Sequence, residues 1–333
     1  MSHIAVIGAG AWGTGLAIVL GRRGGHEVHL WAHEQAVCES ITTRHINDLF
    51  LPGVPIPDSV VPTSDLAYAL RRAEIIVSVM PSQHCRGLFE EMRNHLSPEA
   101  MVVSATKGIE ETTLMRMSEV IESVLGGGRR IGTLSGPSFA KEVARGDPTA
   151  VTIASHDAVL VEIVQREFSD PRFRVYTNDD VIGVELGGSL KNVIAIAAGI
   201  CDGVGLGYNS IAALITRGLA EMTRLVVACG GRQETMSGLA GLGDLVLTCT
   251  GGLSRNRTVG VELGRGRKLP DIIAGMHGMV AEGVFTTQAA MGLAKSRRVE
   301  MPITEQMHAI LHDGKAPADA IRELMTRTAK SEV

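Results

Sequence analysis

The chain has 333 residues, long enough for two domains, and its 45% hydrophobic and 20% charged content is that of an ordinary globular protein. A formal net charge of −4 argues against general binding to nucleic acid or an anionic membrane, so an anionic ligand must be held by local lysines and arginines. Aromatics are scarce (3%) and glycines number 39, so the core must be aliphatic, with many close backbone approaches.

His3 to Ile7 (HIAVI) predicts a short buried strand that ends at Gly8. The following GAGAWG sets Gly8, Gly10 and Gly13 in GxGxxG spacing, and Leu16, Ala17, Val19 and Leu20 recur at helical intervals. Glu27 to Trp31 (EVHLW) is the next strand. Strand, glycine turn, helix and strand within about 30 residues form a dinucleotide-binding unit. The glycines give the tight turn, room for pyrophosphate, and close helix–strand packing, and the helix N-terminus offers free N–H groups. Trp12 either walls the cofactor or packs on the next domain. After the second strand come Ala32, His33 and Glu34. His33 can lie beside either ribose group, which leaves NAD or NADP open as the cofactor.

The strand–helix pattern continues. Leu51 to Asp65 is a proline-rich connection with a short edge strand, Asp65 to Arg72 a helix, and Ile75 to Met80 a buried strand. Met101 to Thr106, Ile131 to Ser135 and Ala150 to Ala154 are further strands. The alternation predicts an α/β domain with a doubly wound, Rossmann-type sheet. Ligands of such sheets sit at the carboxyl ends of strands. Pro81-Ser82, Lys107-Gly108 and Gly136-Pro137-Ser138 all fall there. Lys107 directly follows an apolar strand, which favours a ligand role. Gly136-Pro137-Ser138 reads as a turn or as a backbone cradle.

Past Val181 the segments Val184–Ile200, Ser210–Cys229, Gly260–Arg265, Val284–Ala294, Pro302–Leu311 and Pro317–Arg327 read as helices. The expected division is a dinucleotide-binding domain over 1–180 and an all-helical C-terminal domain over 181–333. Between Glu185 and Asp202, Lys191 is the only charged residue. Burial there pulls a lysine pKa towards the range useful for proton transfer. The competing reading is a structural lysine that reaches water or pairs with Glu185. The glycines of Val184–Gly199 invite close helix packing, and a homodimer is expected. GLAGLGDLVLTCT reads as a loop in which Asp244 caps a helix or enters the cleft. Ser254, Arg255, Asn256 and Arg257 (SRNR) carry the donors that hold a phosphate, though such a tetrapeptide also starts solvated helices. Glu282, in VAEGV, is ambiguous in the same way.

The five cysteines (Cys38, Cys85, Cys201, Cys229 and Cys249) are dispersed and contain no CxxC, which disfavours a disulfide framework. His308 and His312 have chelating spacing without a third ligand nearby, so no metal is expected. MSHIAVIGAG is not a signal peptide, and no uncharged apolar run reaches the roughly 18 residues of a spanning helix. No membrane insertion and a cytoplasmic location are expected.

In combination and in order, GAGAWGT, SATKGIE, LSGPSFAKEV, GGSLKNVIAIAAGICDGVGLGYN, GLAGLGDLVLTCT, SRNR and VAEGV make the chain resemble the bacterial NAD(P)-dependent glycerol-3-phosphate dehydrogenases from about Ile4 to Leu324. The resemblance implies reversible reduction of dihydroxyacetone phosphate to sn-glycerol 3-phosphate, feeding glycerophospholipid synthesis. It implies that Lys191 is the general acid/base and that Lys107 is shared by substrate and cofactor. It places Gly136, Ser138, Asp244, Ser254, Arg255 and Asn256 on substrate. Ala11, Trp12, His33, Ala140, Arg255, Val280 and Glu282 match cofactor positions. Two other readings compete. One is a different two-domain reductase with a catalytic lysine, of the β-hydroxyacid dehydrogenase or ketopantoate reductase type. The other is a cofactor-binding regulatory protein without turnover.

Overall fold

The computed structural model describes residues 2–276, 279–329 and 331, so the extreme ends of the two expected domains lie outside the described residues. Ten strands form in chain order: β1 (Ser2–Ile7), β2 (His26–Trp31), β3 (Ile46–Asn47), β4 (Leu51–Pro55), β5 (Val60–Thr63), β6 (Ile75–Ser78), β7 (Met101–Ser104), β8 (Ile131–Ser135), β9 (Thr149–Ala154) and β10 (Phe173–Asn178). Eight of them make one sheet in the order β10-β9-β8-β7-β6-β1-β2-β5, and β3 with β4 makes a separate antiparallel ribbon. Pairing is parallel except between β8 and β9. The strand order steps outward from β1 in both directions, and helices cover both faces, as a doubly wound fold requires.

The central strands are buried on both faces, which is why they read as continuous apolar runs. The Leu51–Asp65 connection holds two strands rather than one: β5 is the sheet edge beside β2, and β4 pairs with β3. β10 is an edge strand without a counterpart among the sequence expectations. Its alternating burial, with Arg174 and Tyr176 turned outward, hides it from an apolar-run reading.

β10 ends at Asn178, and Asp180 caps the next helix by accepting from the Gly183 N–H at 2.9 Å. That helix, Val181–Gly203, is buried continuously from Gly183 to Ile200. It is long and apolar enough to cross a bilayer, yet 94% of its apolar window is buried inside the protein, as the core of the second domain. Helices Tyr208–Ala228, Asp244–Thr250, Arg255–Gly264 and Glu282–Arg297 pack around it. Its glycines find their close partner within the chain. A Cβ at Gly260 would lie 2.9 Å from Gly199 Cα, and one at Gly264 would lie 2.9 Å from Gly203 Cα. The helix contact that the sequence left open to a subunit interface is therefore intramolecular.

GLAGLGDLVLTCT is not a loop. A π-helical turn, Leu239–Gly243, runs directly into helix Asp244–Thr250. Short helices at Gln233–Met236 and Leu269–Ala274 also complete the domain.

Candidate active site

The first element of the site is the glycine turn after β1. Gly8 has φ 116°, a left-handed conformation, and a Cβ there would lie 2.4 Å from the Val79 carbonyl oxygen. A Cβ at Gly13 would lie 1.8 Å from the Gly8 carbonyl oxygen, so the turn closes only with glycine at both positions. Gly10 differs: nothing lies within 4 Å of its Cβ position. Gly10 starts helix Ala11–Arg23 with no side-chain cap, so the first N–H groups, including those of Ala11, Trp12 and Gly13, have no intrahelical acceptor. The Trp12 indole Nε1 is buried and has no hydrogen-bond partner among the described residues. Open space, uncapped donors and a positive helix end fit the pyrophosphate of a dinucleotide. Ala140 begins helix Ala140–Arg145, which packs on this helix beside Gly15. His33 is exposed past the end of β2, its ring 6.2 Å from that of Trp31.

The second element joins the two domains. Lys107 leaves the end of β7, Lys191 comes from the buried helix, and Asp244 takes one in each hand. Asp244 Oδ2 accepts from Lys107 Nζ at 2.6 Å, and Oδ1 lies 2.9 Å from Lys191 Nζ. Lys191 also donates to Thr248 Oγ1 at 2.6 Å, and the Thr248 hydroxyl donates in turn to the Asp244 backbone carbonyl at 2.6 Å. Lys107 donates in addition to the Gly136 carbonyl at 3.1 Å, which also accepts from Ser138 Oγ at 3.0 Å. Lys191 is 6% exposed and Asp244 2%. Burial lowers the Lys191 pKa to about 8, the Asp244 carboxylate acts against that, and the like charge of Lys107 adds to it. Glu185 is not the partner of Lys191. It is held by Arg116 at 2.5 Å and by the Ser118 N–H and hydroxyl at 2.8 and 2.6 Å.

The third element is the start of helix Arg255–Gly264 and the residues bound to it. Ser254 caps helix Arg255–Gly264 through the Arg257 N–H at 3.2 Å, so its role in the fold is that of a helix start. Arg257 pairs with Asp202 at 2.8 Å. Arg255 has no hydrogen-bond or ion-pair partner among the described residues. Protein crowding around this guanidinium lowers its pKa, and the Glu282 charge opposes the shift. The Asn256 amide donates to Asn192 Oδ1 at 3.0 Å and accepts from the Gly283 N–H at 2.9 Å, which ties it to the residue beside Lys191. Val280 is half-buried just ahead of helix Glu282–Arg297. Both oxygens of Glu282 are engaged by Ser82, from its N–H at 2.9 Å and its hydroxyl at 2.5 Å, and burial raises the Glu282 pKa. A Cβ at Gly108 would lie 2.4 Å from Ser82 Oγ and 3.1 Å from Glu282 Oε2, which is why glycine follows Lys107.

Thr248, Asn192 and Ser82 were not singled out from the sequence as site residues, Ser82 having been noted only at its strand end. Thr248 had a readable signal, since it stands four residues after Asp244 on one helical face. His308 and His312 face each other at 4.9 Å, with His308 bound to Gln288 at 2.7 Å. No group of three or more metal-ligating side chains occurs among the described residues.

A Rossmann-type sheet with an uncapped glycine turn, closed by a helical domain that buries a lysine against it, defines a two-domain dehydrogenase of the dinucleotide-binding class. The profile of the NAD-dependent glycerol-3-phosphate dehydrogenase N-terminus matches residues 3–161, and that of the C-terminus matches residues 180–322. The chain is 70% identical to the glycerol-3-phosphate dehydrogenase [NAD(P)+] of Koribacter versatilis, covering 100% of this chain and 99% of that one. It is 57% identical to that of Acidobacterium capsulatum, covering 100% of both. The crystal structure of glycerol-3-phosphate dehydrogenase from Coxiella burnetii superposes with a TM-score of 0.94 at 42% identity, covering 98% of this chain and 99% of that one. The chain belongs to the NAD-dependent glycerol-3-phosphate dehydrogenase family. Membership displaces the β-hydroxyacid dehydrogenase, ketopantoate reductase and regulatory readings.

Proposed function

We propose that the chain catalyses the reversible, NAD(P)H-dependent reduction of dihydroxyacetone phosphate to sn-glycerol 3-phosphate, a building block for glycerophospholipids. The observation that carries the reading is the buried Lys107–Asp244–Lys191 cluster with the Lys191 pKa near 8. The bound nicotinamide supplies the hydride. Lys191 Nζ supplies the proton that the developing alkoxide needs, and takes it back in the oxidative direction. Lys107 places its ammonium group beside the reacting oxygen. Arg255, uncommitted within the described chain, takes the substrate phosphate, with Asn256 and Ser254 fixing the helix start from which it projects. Gly136 and Ser138 form the floor beside Lys107. On the cofactor side we assign the Gly8–Gly13 turn, His33, Ala140, Val280 and Glu282. The proposed division of labour is dinucleotide binding by 1–180 and substrate binding by 181–333.

Five cysteines, all free, support a reducing, cytoplasmic location. Exposed Val204, Leu206 and Tyr208, the last 93% exposed, support a homodimer, which light scattering tests. The activity is tested by following NADH or NADPH absorbance with dihydroxyacetone phosphate. Consumption with at least one cofactor is expected, and kcat/KM for the two gives the preference. No turnover with either would sink the proposal.

A further inference from the structure

Asn47, at the end of β3, is fully buried, and it reaches back to the glycine turn 38 residues earlier. Its Nδ2 donates to the Ala9 carbonyl at 2.8 Å and to Thr14 Oγ1 at 2.9 Å, while its Oδ1 accepts from the Phe50 N–H at 3.1 Å. A carbonyl can only accept and a backbone N–H can only donate, so the amide orientation is fixed at both ends. Thr14 Oγ1 lies 3.2 Å from the same Ala9 carbonyl and donates to it. The Ala9 oxygen is thus held from behind by two donors, both buried.

In a trans peptide the C=O and the following N–H point in opposite directions. Drawing the Ala9 carbonyl inward therefore turns the Gly10 N–H outward. The space around Gly10 is open, with nothing within 4 Å of its Cβ position. The peptide plane between Ala9 and Gly10 is set by a side chain outside the glycine motif, carried on the β3–β4 ribbon.

We propose that Asn47 is a positioning residue for the cofactor: it fixes the Ala9–Gly10 peptide so that the Gly10 N–H faces the pyrophosphate. The proposal rests on the reading that the Gly8–Gly13 turn holds a nicotinamide dinucleotide. It assigns the ribbon a task, since without this anchor the first donor of the turn is free to rotate.

Asn47→Asp tests it. The carboxylate keeps the shape and the acceptor for the Phe50 N–H, but it sets a lone pair against the Ala9 oxygen. Calorimetric titration of the full chain with ADP-ribose, which carries the pyrophosphate but no nicotinamide, is expected to show a Kd raised about ten-fold or more. KM for NADH should follow, while kcat at saturating NADH and KM for dihydroxyacetone phosphate stay within about two-fold. Lowering the pH until the introduced carboxyl is protonated restores one O–H donor and should recover much of the affinity. Thr14→Val, which removes the second donor, should weaken ADP-ribose in the same direction and by less, and it serves if Asn47→Asp does not fold. An ADP-ribose Kd within about two-fold of wild type in a folded variant overturns the proposal while the cofactor reading stands. A wild-type chain that binds neither NADH nor NADPH overturns both.

Discussion

Asp244 lies between two ammonium groups, and Asp244→Asn removes its charge with little change of shape. In the wild type the carboxylate is the main influence that raises the Lys191 pKa against burial. With an amide in its place, desolvation and Lys107 both act downward, with only the smaller influence of Cys249 against them. An opposite charge at this separation, 2.9 Å to Lys191 Nζ, typically accounts for about 1–3 pH units, or about 1.4–4 kcal/mol. On the proposed acid role, reduction requires Lys191 protonated, and wild-type kcat/KM for dihydroxyacetone phosphate is then expected to fall as pH rises through about 8. In Asp244→Asn the same limb should move to lower pH by that amount, leaving the variant weak near neutrality and partly recovered in acid. The assay is initial-rate NADH consumption across pH, with ADP-ribose titration to show that the cofactor site is intact. A limb that stays near the wild-type position, or moves up, refutes the assignment of Asp244 as the group that holds Lys191 protonated.

Lys191→Met is expected to lower kcat by about 10²–10⁴ while ADP-ribose affinity survives. Its stability should separate from wild type with pH: between the folded value of about 8 and the ordinary lysine value of 10.5, the unfolded chain binds a proton that the folded chain does not. Wild-type stability should therefore rise relative to the variant across that window, by up to about 3 kcal/mol in denaturant titrations, and a flat difference would count against the low pKa. Arg255→Ala should raise KM for dihydroxyacetone phosphate by about ten-fold or more with stability within about 1 kcal/mol of wild type, because no described hydrogen bond or ion pair is lost and only the attraction between Arg255 and Glu282 goes. Dihydroxyacetone, which lacks the phosphate, should be reduced equally by both chains, and a variant impaired on both substrates refutes the phosphate role.

How much of this was legible depended on what each glycine was doing. In GAGAWG the spacing, the preceding apolar strand and the following helix announced the turn, and the structure puts the two closing glycines against backbone oxygens. In GLAGLGDLVLTCT the same residue type suggested a loop. There a Cβ at Gly241 would lie 2.2 Å from the Met236 carbonyl oxygen, and one at Gly187, on the facing helix, 2.8 Å from the Ala240 oxygen. These glycines permit contact between helices, and nothing local in a sequence separates that use from flexibility. The misread loop hid helix Asp244–Thr250, and with it the pairing of Asp244 and Thr248. The Asn47 anchor was hidden for a different reason: it acts across 38 residues through one amide, and no periodicity records such a contact.

Lys191 shows why a lone charge in an apolar helix is informative even before its partners are known. Burial pulls its pKa down, and a lysine pulled far enough is a neutral amine and no acid. A dedicated carboxylate would hold it charged like a surface lysine, and such a lysine gives up its proton reluctantly. The structure does neither. Asp244 is divided between two lysines, one oxygen to each, so its support for Lys191 comes together with the repulsion of Lys107. The balance near 8 is set by burial first, and then by the three charged groups acting on one another through Asp244. Two of the three come from the helical domain and one from the end of a strand in the sheet. The proton affinity of the site is thus a property of the domain junction, and a change that shifts the domains apart would alter it even with every residue of the cluster in place.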